Sequence, residues 1–220
     1  AARHQPESDP PFLLVTSSGP AADYQSYVFG LYRKTEQVTE GRSVYIQEHD
    51  SKYGGSPCKL LSEKGVWRMT WNDAKRLRAA TPSESPTSVK WQYYDYVKKT
   101  WRDDPTLTVT GLSEKPSCEC EVTIRLSVDI QGDMVMPIVA GSYRPDGSYY
   151  KGRPVLKHYG GLFMLYVMDG RWIVSSDVGD DMEYLESGSA PSMCPADPRA
   201  ARVESGDFRG LKHWIFASKR

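Results

Sequence analysis

The sequence predicts a mainly β protein of two related antiparallel modules in tandem, each a small barrel or sandwich with one short helical turn. Two observations carry that expectation. The stretch "VAGSYRPDGSYYKGRPVLKH" (139–158) echoes "VFGLYRKTEQVTEGRSVYIQ" (28–47): at an offset of 111, Val28, Gly30, Tyr32, Arg33, Gly41, Arg42 and Val44 fall on Val139, Gly141, Tyr143, Arg144, Gly152, Arg153 and Val155. Throughout the chain, short β-branched and aromatic runs are punctuated by Gly and Pro, as strands are by turns.

The echo extends along the chain and sets the domain boundaries, because a repeat of this length marks one structural unit written twice. "DPPFLLVT" (9–16) resembles "DPTLTVT" (104–110), so these open the two copies. Gly65 and Trp67 fall on Gly170 and Trp172, "TPSESP" on "APSMCP", and Trp91 on Trp214. The expected organisation is a tail at 1–8, one module at 9–103 and a second at 104–220, the latter carrying an inserted strand at 118–131. In that insert Cys118, Cys120, Val122, Ile124, Leu126, Val128 and Ile130 alternate with polar residues, the period of a half-buried strand. "YRPDGSYYKGRPV" reads as strand, Pro-Asp-Gly turn and strand, and "FMLYVMDGRWIVS" as a hairpin with Asp169-Gly170 at its tip. "NDAKRLRAA" (72–80) and "DDMEYLES" (180–187) read as short helices capped by Asn72 or Asp73 and by Asp180. The chain begins without Met and stops short of an equivalent of Trp101, so a longer natural protein is expected.

The motif order G-x-Y, G-R-(P/S)-V, G-x-W, P-S-x-x-P, W and W-x-x-D-P-x-L resembles a short β-rich repeat found in large multidomain eukaryotic proteins of unsettled function. The resemblance covers most of both copies. It implies a reusable module rather than an enzyme and carries over no catalytic residue.

Charge narrows the partners. Lys plus Arg and Asp plus Glu both total 28, so no global field draws nucleic acid or an anionic membrane, and such binding would need a local patch. "VKWQYYDYVKKTWR" mixes rings with Lys98, Lys99 and Arg102, but in a strand-turn-strand half of those rings face the core. No run approaches the roughly 20 apolar residues of a bilayer span. The single Asn lies in no glycosylation sequon, which leans towards the cell interior.

The four cysteines admit buried thiols, a bridge from Cys194 to Cys118 or Cys120, or zinc. The repeat favours buried thiols, since Cys58 aligns with Phe163 and Cys194 with Ser85. Cofactor and metal are expected to be absent. The acidic run Asp177, Asp180, Asp181, Glu183 and Glu186 lacks EF-hand spacing and suits a helix start instead. No His aligns with another, and there is no nucleophile elbow or Walker loop; Lys157-His158 beside "YGG" would be the first suspect in an enzyme.

The recurring Tyr-Arg and Gly-Arg pairs give the candidate ligand-binding set: Tyr32, Arg33, Arg42, Tyr143, Arg144 and Arg153. Two guanidiniums on neighbouring strands could clamp a carboxylate or phosphate. Alternatively each Arg pairs with a local acid or lies over a ring such as Trp67 or Trp172. The expected function is non-enzymatic recognition or scaffolding, with a protein or glycan ligand, no nucleic acid and no membrane insertion. The alternative is a hydrolase or transferase acting between the copies through unshared residues such as His158, Asp177 and Cys194.

Overall fold

The computed structural model describes residues 9–72, 74–116, 122–126, 139, 141–161, 163–168, 171–179, 183–186 and 214–218. The chain is mainly β and divides into two compact units, 1–116 and 117–220, each built on one antiparallel sheet. Among the described residues no helix is long and apolar enough to cross a membrane.

The first unit opens with β1 (Phe12–Thr16) and a short helix α1 (Pro20–Gln25), followed by β2 (Gly30–Thr39), β3 (Arg42–Gln47), β4 (Lys59–Glu63), β5 (Val66–Trp71), β6 (Ala74–Ala79), β7 (Trp91–Asp95), β8 (Thr100–Asp103) and β9 (Thr108–Leu112). Successive strands from β1 to β8 form a meander, and β9 returns to pair with β1, giving the order β8-β7-β6-β5-β4-β3-β2-β1-β9. That order dictates curvature. Laid flat at about 4.8 Å per strand, β8 and β9 would stand about 38 Å apart. Yet only Asp104–Leu107 joins them, a connector that reaches at most about 18 Å. The sheet therefore curls into a half-barrel.

Alternation fills the concave side. Leu13, Val15, Tyr32, Tyr45, Leu60, Trp67, Met69, Leu77, Trp91, Tyr93 and Val109 are buried in one cluster, with residues from every strand but β8. Fully burying one such side chain contributes about 2–3 kcal/mol. Three two-residue turns at Glu40-Gly41, Lys64-Gly65 and Lys151-Gly152 have positive φ at both positions (54° and 77°, 53° and 75°, 44° and 74°). Only such turns match the right-handed twist of the strands they join, and Gly takes the second position without steric cost.

The second unit contains β10 (Val122–Leu126), β11 (Gly141–Tyr150), β12 (Arg153–His158), β13 (Met164–Met168), β14 (Arg171–Ser175), β15 (Glu183–Glu186) and β16 (Trp214–Ser218), in the order β15-β14-β13-β12-β11-β10-β16. Register superimposes it on the first unit. Leu13 faces Tyr32 and Val15 faces Gly30, as Val122 faces Tyr143 and Ile124 faces Gly141. Its core repeats the same positions with Val122, Ile124, Val139, Tyr143, Leu156, Phe163, Leu165, Trp172 and Val174.

This register revises several sequence expectations. The strand within 118–131 is the counterpart of β1 rather than an insert, and "DPTLTVT" supplies β9, which closes the first unit. Trp214 lies in β16, which pairs with β10 as β9 pairs with β1, so it is not the counterpart of Trp91 in β7. The helix expected at 72–80 is strand β6, paired on both sides by β5 and β7; pairing overrides the helical propensity of its Lys, Arg and Leu. The helix expected at 180–187 is strand over 183–186, with 180–182 and 187 outside the described residues. Asp146-Gly147-Ser148 make a bulge within β11, just after the paired Pro145, and the turn follows at Lys151-Gly152. Helical structure sits instead in α1 and in three-residue turns at 26–28, 51–53 and 86–88. Cys58 is a buried free thiol; the other cysteines lie outside the described residues.

Asp104 ties the β8–β9 connector to the β1–α1 loop. Its carboxylate accepts from Ser17 Oγ (2.8 Å), Ala21 N (2.9 Å), Thr106 N (2.9 Å) and Thr106 Oγ1 (2.7 Å). Burial pushes its pKa up, but these four donors outweigh burial and hold it below the usual carboxylate value. A folded-state pKa below the unfolded one means the stabilisation is complete above the unfolded pKa and is lost as pH falls through the folded one. Asp104→Asn is therefore expected to destabilise by about 2–3 kcal/mol at neutral pH and to flatten the loss of stability below about pH 4. Urea unfolding of parent and variant at pH 7 and under acid checks this; parallel pH profiles would refute the assignment.

Candidate functional site

The β2–β3 and β11–β12 hairpins place the candidate residues differently from the clamp that the sequence suggests. Arg33 faces Ile46 and Arg42 faces Thr39, so the two levels are four residue steps of β3 apart, about 13 Å; Arg144 and Arg153 are separated in the same way. Neither hairpin brings its two guanidiniums together.

Tyr32 and Tyr143 are core residues. Both are fully buried, and their hydroxyls donate to the carbonyls of Val28 (2.6 Å) and Val139 (2.7 Å). Arg42 is nearly buried: it donates to Ser62 Oγ (2.7 Å), pairs with Glu84 (3.3 Å) and lies 5.9 Å from the Trp67 ring. Beside it Glu40 accepts from Gly65 N, Lys64 N and Ser62 Oγ, and the two backbone donors lead in holding its pKa below the usual value. Arg153, the counterpart of Arg42, is 5% exposed, and burial lowers its pKa to about 10. It remains charged at neutral pH.

Arg33 and Arg144 are the exposed members of the set, and their surroundings differ. Each lies beside the residue that follows the hairpin's second strand. In the first unit that residue is Glu48, whose N–H bonds Leu31 O (2.8 Å) and whose carboxylate pairs with Arg33 (3.6 Å) and Lys115 (3.3 Å). In the second unit it is Tyr159, whose N–H bonds Ser142 O (3.0 Å) and whose ring lies 4.2 Å from the Arg144 guanidinium. Ile46, opposite Arg33, is likewise replaced by Lys157, opposite Arg144. An acid and an aliphatic residue thus give way to a ring and a cation.

The result is an open cleft of about 390 Å³ lined by Arg144, Pro145, Asp146, Lys157, His158, Tyr159 and Gly161. Its walls are fixed by backbone geometry. Asp146 accepts from Ser148 N (2.8 Å) and Ser148 Oγ, folding the bulge, and Gly161 N donates to His158 O (2.8 Å), closing the turn beyond β12. The His158 ring packs on Tyr143 at 4.9 Å and over Gly141, where a Cβ would stand 2.5 Å from Nε2. Gly141 has φ +137°, so it is required both by its backbone and by the ring above it.

His158 occupies the place of Gln47. Gln47 N donates to Cys58 O and His158 N to Phe163 O, both at 2.9 Å, and the Gln47 side chain bonds the carbonyls of Tyr27 and Phe29. The position is a structural one in the first unit, which no enzymatic reading of the sequence anticipated. Asp177 accepts from its neighbour Val178 N at 2.8 Å, and Cys194 lies outside the described residues. Among the described residues no cluster of three His, Cys, Asp or Glu is placed to hold a metal ion.

The sequence marks Lys157 and the adjoining Tyr159 only as suspects in an enzyme; the signal for a ligand group at these positions is their difference from Ile46 and Glu48. No family model matches this chain, and neither a curated protein nor a solved structure is similar to it.

Removing the tyrosine hydroxyls separates core from cleft. Tyr32→Phe and Tyr143→Phe are each expected to destabilise by about 1 kcal/mol, whereas Arg144→Ala changes stability by less than about 0.5 kcal/mol. Denaturant unfolding reads all three, and an Arg144 loss equal to that of the tyrosines would make Arg144 structural as well.

Proposed function

We propose that the chain is a pair of non-enzymatic recognition or scaffolding modules of a larger protein, binding a protein or glycan ligand through an acidic group seated in the Arg144 cleft. The observation that carries this reading is the exchange of Glu48 for Tyr159 at one register position. In the first unit Glu48 pairs with the hairpin arginine, and at the same position in the second the Tyr159 ring lies against Arg144, beside the additional cation Lys157. A guanidinium held against a ring presents its N–H fork to a carboxylate, sulfate or phosphate at reduced conformational cost. Tyr159 is 55% exposed, which also suits it to the C–H face of a sugar or to an apolar side chain. Placing the site on a hairpin and its following turn puts recognition on a rigid scaffold. The structural position of His158 supports binding over catalysis.

A mixed array of acidic and neutral peptides and glycans tests this with the full chain and with Arg144→Ala plus Lys157→Ala. Retention of acidic members is expected, weakened about tenfold or more in the variant at unchanged melting temperature. Retention of neutral members only, or binding indifferent to both changes, would discard the reading.

A further inference from the structure

Among the described residues of the first unit two arginines have no acid partner, and they are close in sequence. Six arginines lie among its described residues. Arg33, Arg42, Arg68 and Arg102 meet Glu48 (3.6 Å), Glu84 (3.3 Å), Glu63 (3.1 Å) and Asp95 (3.3 Å). Arg76 and Arg78 on β6 meet aromatic rings instead. The Arg76 guanidinium lies 5.3–5.4 Å from Tyr27, Trp71 and Tyr96, and that of Arg78 lies 4.4 Å from Trp101. Arg68 faces Arg78 across the strands, so like charges adjoin. Strand β6 reads Ala-Lys-Arg-Leu-Arg-Ala and contains no acid.

The second unit writes the same strand with the opposite sign. β14 and β15 carry a register shift at Val174/Ser175, where β5 and β6 carry theirs at Met69/Thr70. Through these pairings Glu183 holds the place of Lys75 and Glu186 that of Arg78, while Ile173 stands for Arg68. The two units, taken whole, differ in the same direction. Residues 1–116 contain 16 Lys and Arg against 14 Asp and Glu, and residues 117–220 contain 12 against 14. The zero net charge of the chain is thus two opposite excesses, and it removes the long-range repulsion that keeps copies apart.

We propose that the basic β6 strand of one chain docks on the acidic β15 strand of a second copy. The two surfaces differ, so the contact is head-to-tail and leaves one face of each kind at the ends of the assembly, which grows until a ring closes. Guanidinium and carboxylate fit each other as a two-pronged pair, and the rings beneath Arg76 and Arg78 hold the forks in place. This inference stands apart from the Arg144 cleft and survives its failure.

Sedimentation velocity of the full chain over a concentration series, at about 20 mM and about 500 mM salt, reads the association against screening. The mass is expected to rise with concentration at low salt and to return to monomer at high salt. Lys75→Glu plus Arg78→Glu, and separately Glu183→Lys plus Glu186→Lys, each associate at least about tenfold more weakly alone, while an equimolar mixture of the two variants regains association. That recovery excludes misfolding as the cause of the loss. A parent monomeric at every concentration overturns the proposal, as does association that persists in either variant alone. A monomeric parent that retains a single-stranded oligonucleotide at low salt overturns it too and assigns the β6 face to nucleic acid.

Discussion

The pairing of each unit's last strand with its first is the constraint on which the rest depends. Every other pairing of the described strands joins neighbours in sequence and can form as a local hairpin, but β1–β9 and β10–β16 join segments about 90 residues apart. Such a pairing must overcome the entropy of closing a long loop before it returns any hydrogen bond, which makes it the slow and cooperative step of folding. In the first unit, where only Asp104–Leu107 links β8 to β9, it obliges the meander to curl, and the curl gives one face of the strands an interior to fill. Asp104 secures that closure in the first unit by fastening the connector between the two sheet edges to the helix that follows β1.

The copies bury the same positions, and several of their outward residues differ. Val28 and Val139 accept the hydroxyl protons of Tyr32 and Tyr143, and Trp67 and Trp172 occupy the same register in their hairpins. Even the Gly-Arg motif is interior in character: Arg42 is spent on Ser62, Glu84 and Trp67, and Arg153 is buried. Most residues identical between copies are thus those that one fold requires of both; the exposed pair Arg33 and Arg144 is the exception, shared in identity but set in different surroundings. The outward exchanges, Glu48 for Tyr159 and Ile46 for Lys157, alter charge and shape without disturbing that fold. A tandem pair can therefore diverge in what it binds while retaining one architecture.

This division explains how much the sequence disclosed. The offset of 111 was visible because Gly30, Tyr32, Gly41 and Arg42 are fixed by a positive φ, a buried hydroxyl, a two-residue turn and a polar network. Strand alternation at Val122 and Ile124 was equally legible, since both are buried. The ends misled. "DPPFLLVT" and "DPTLTVT" look alike because β1 and β9 lie side by side and obey the same inside-outside rule, not because they are equivalent. "AKRLRA" is written in good helix formers, and only the strands on either side of it decide its state. The site is only half legible for a related reason: Arg144 belongs to the repeat, but Tyr159 and Lys157, which set its surroundings apart from those of Arg33, do not.

The bulge that opens β6 and β15 makes the same point at one position. A bulge inserts a residue that the neighbouring strand leaves unpaired and turns its side chain away from the regular alternation. In the first unit that residue is Arg76, carried onto the rings of Tyr27, Trp71 and Tyr96; in the second the place falls to Tyr184. The backbone irregularity is common to both copies and the residue placed on it is not. An irregularity that fixes direction but not chemistry is a device for variation, because the sheet tolerates whatever side chain it projects. The charge reversal along the same strand, Lys75 and Arg78 against Glu183 and Glu186, follows from that freedom, since strand pairing constrains the inward Leu77 far more than the residues flanking it.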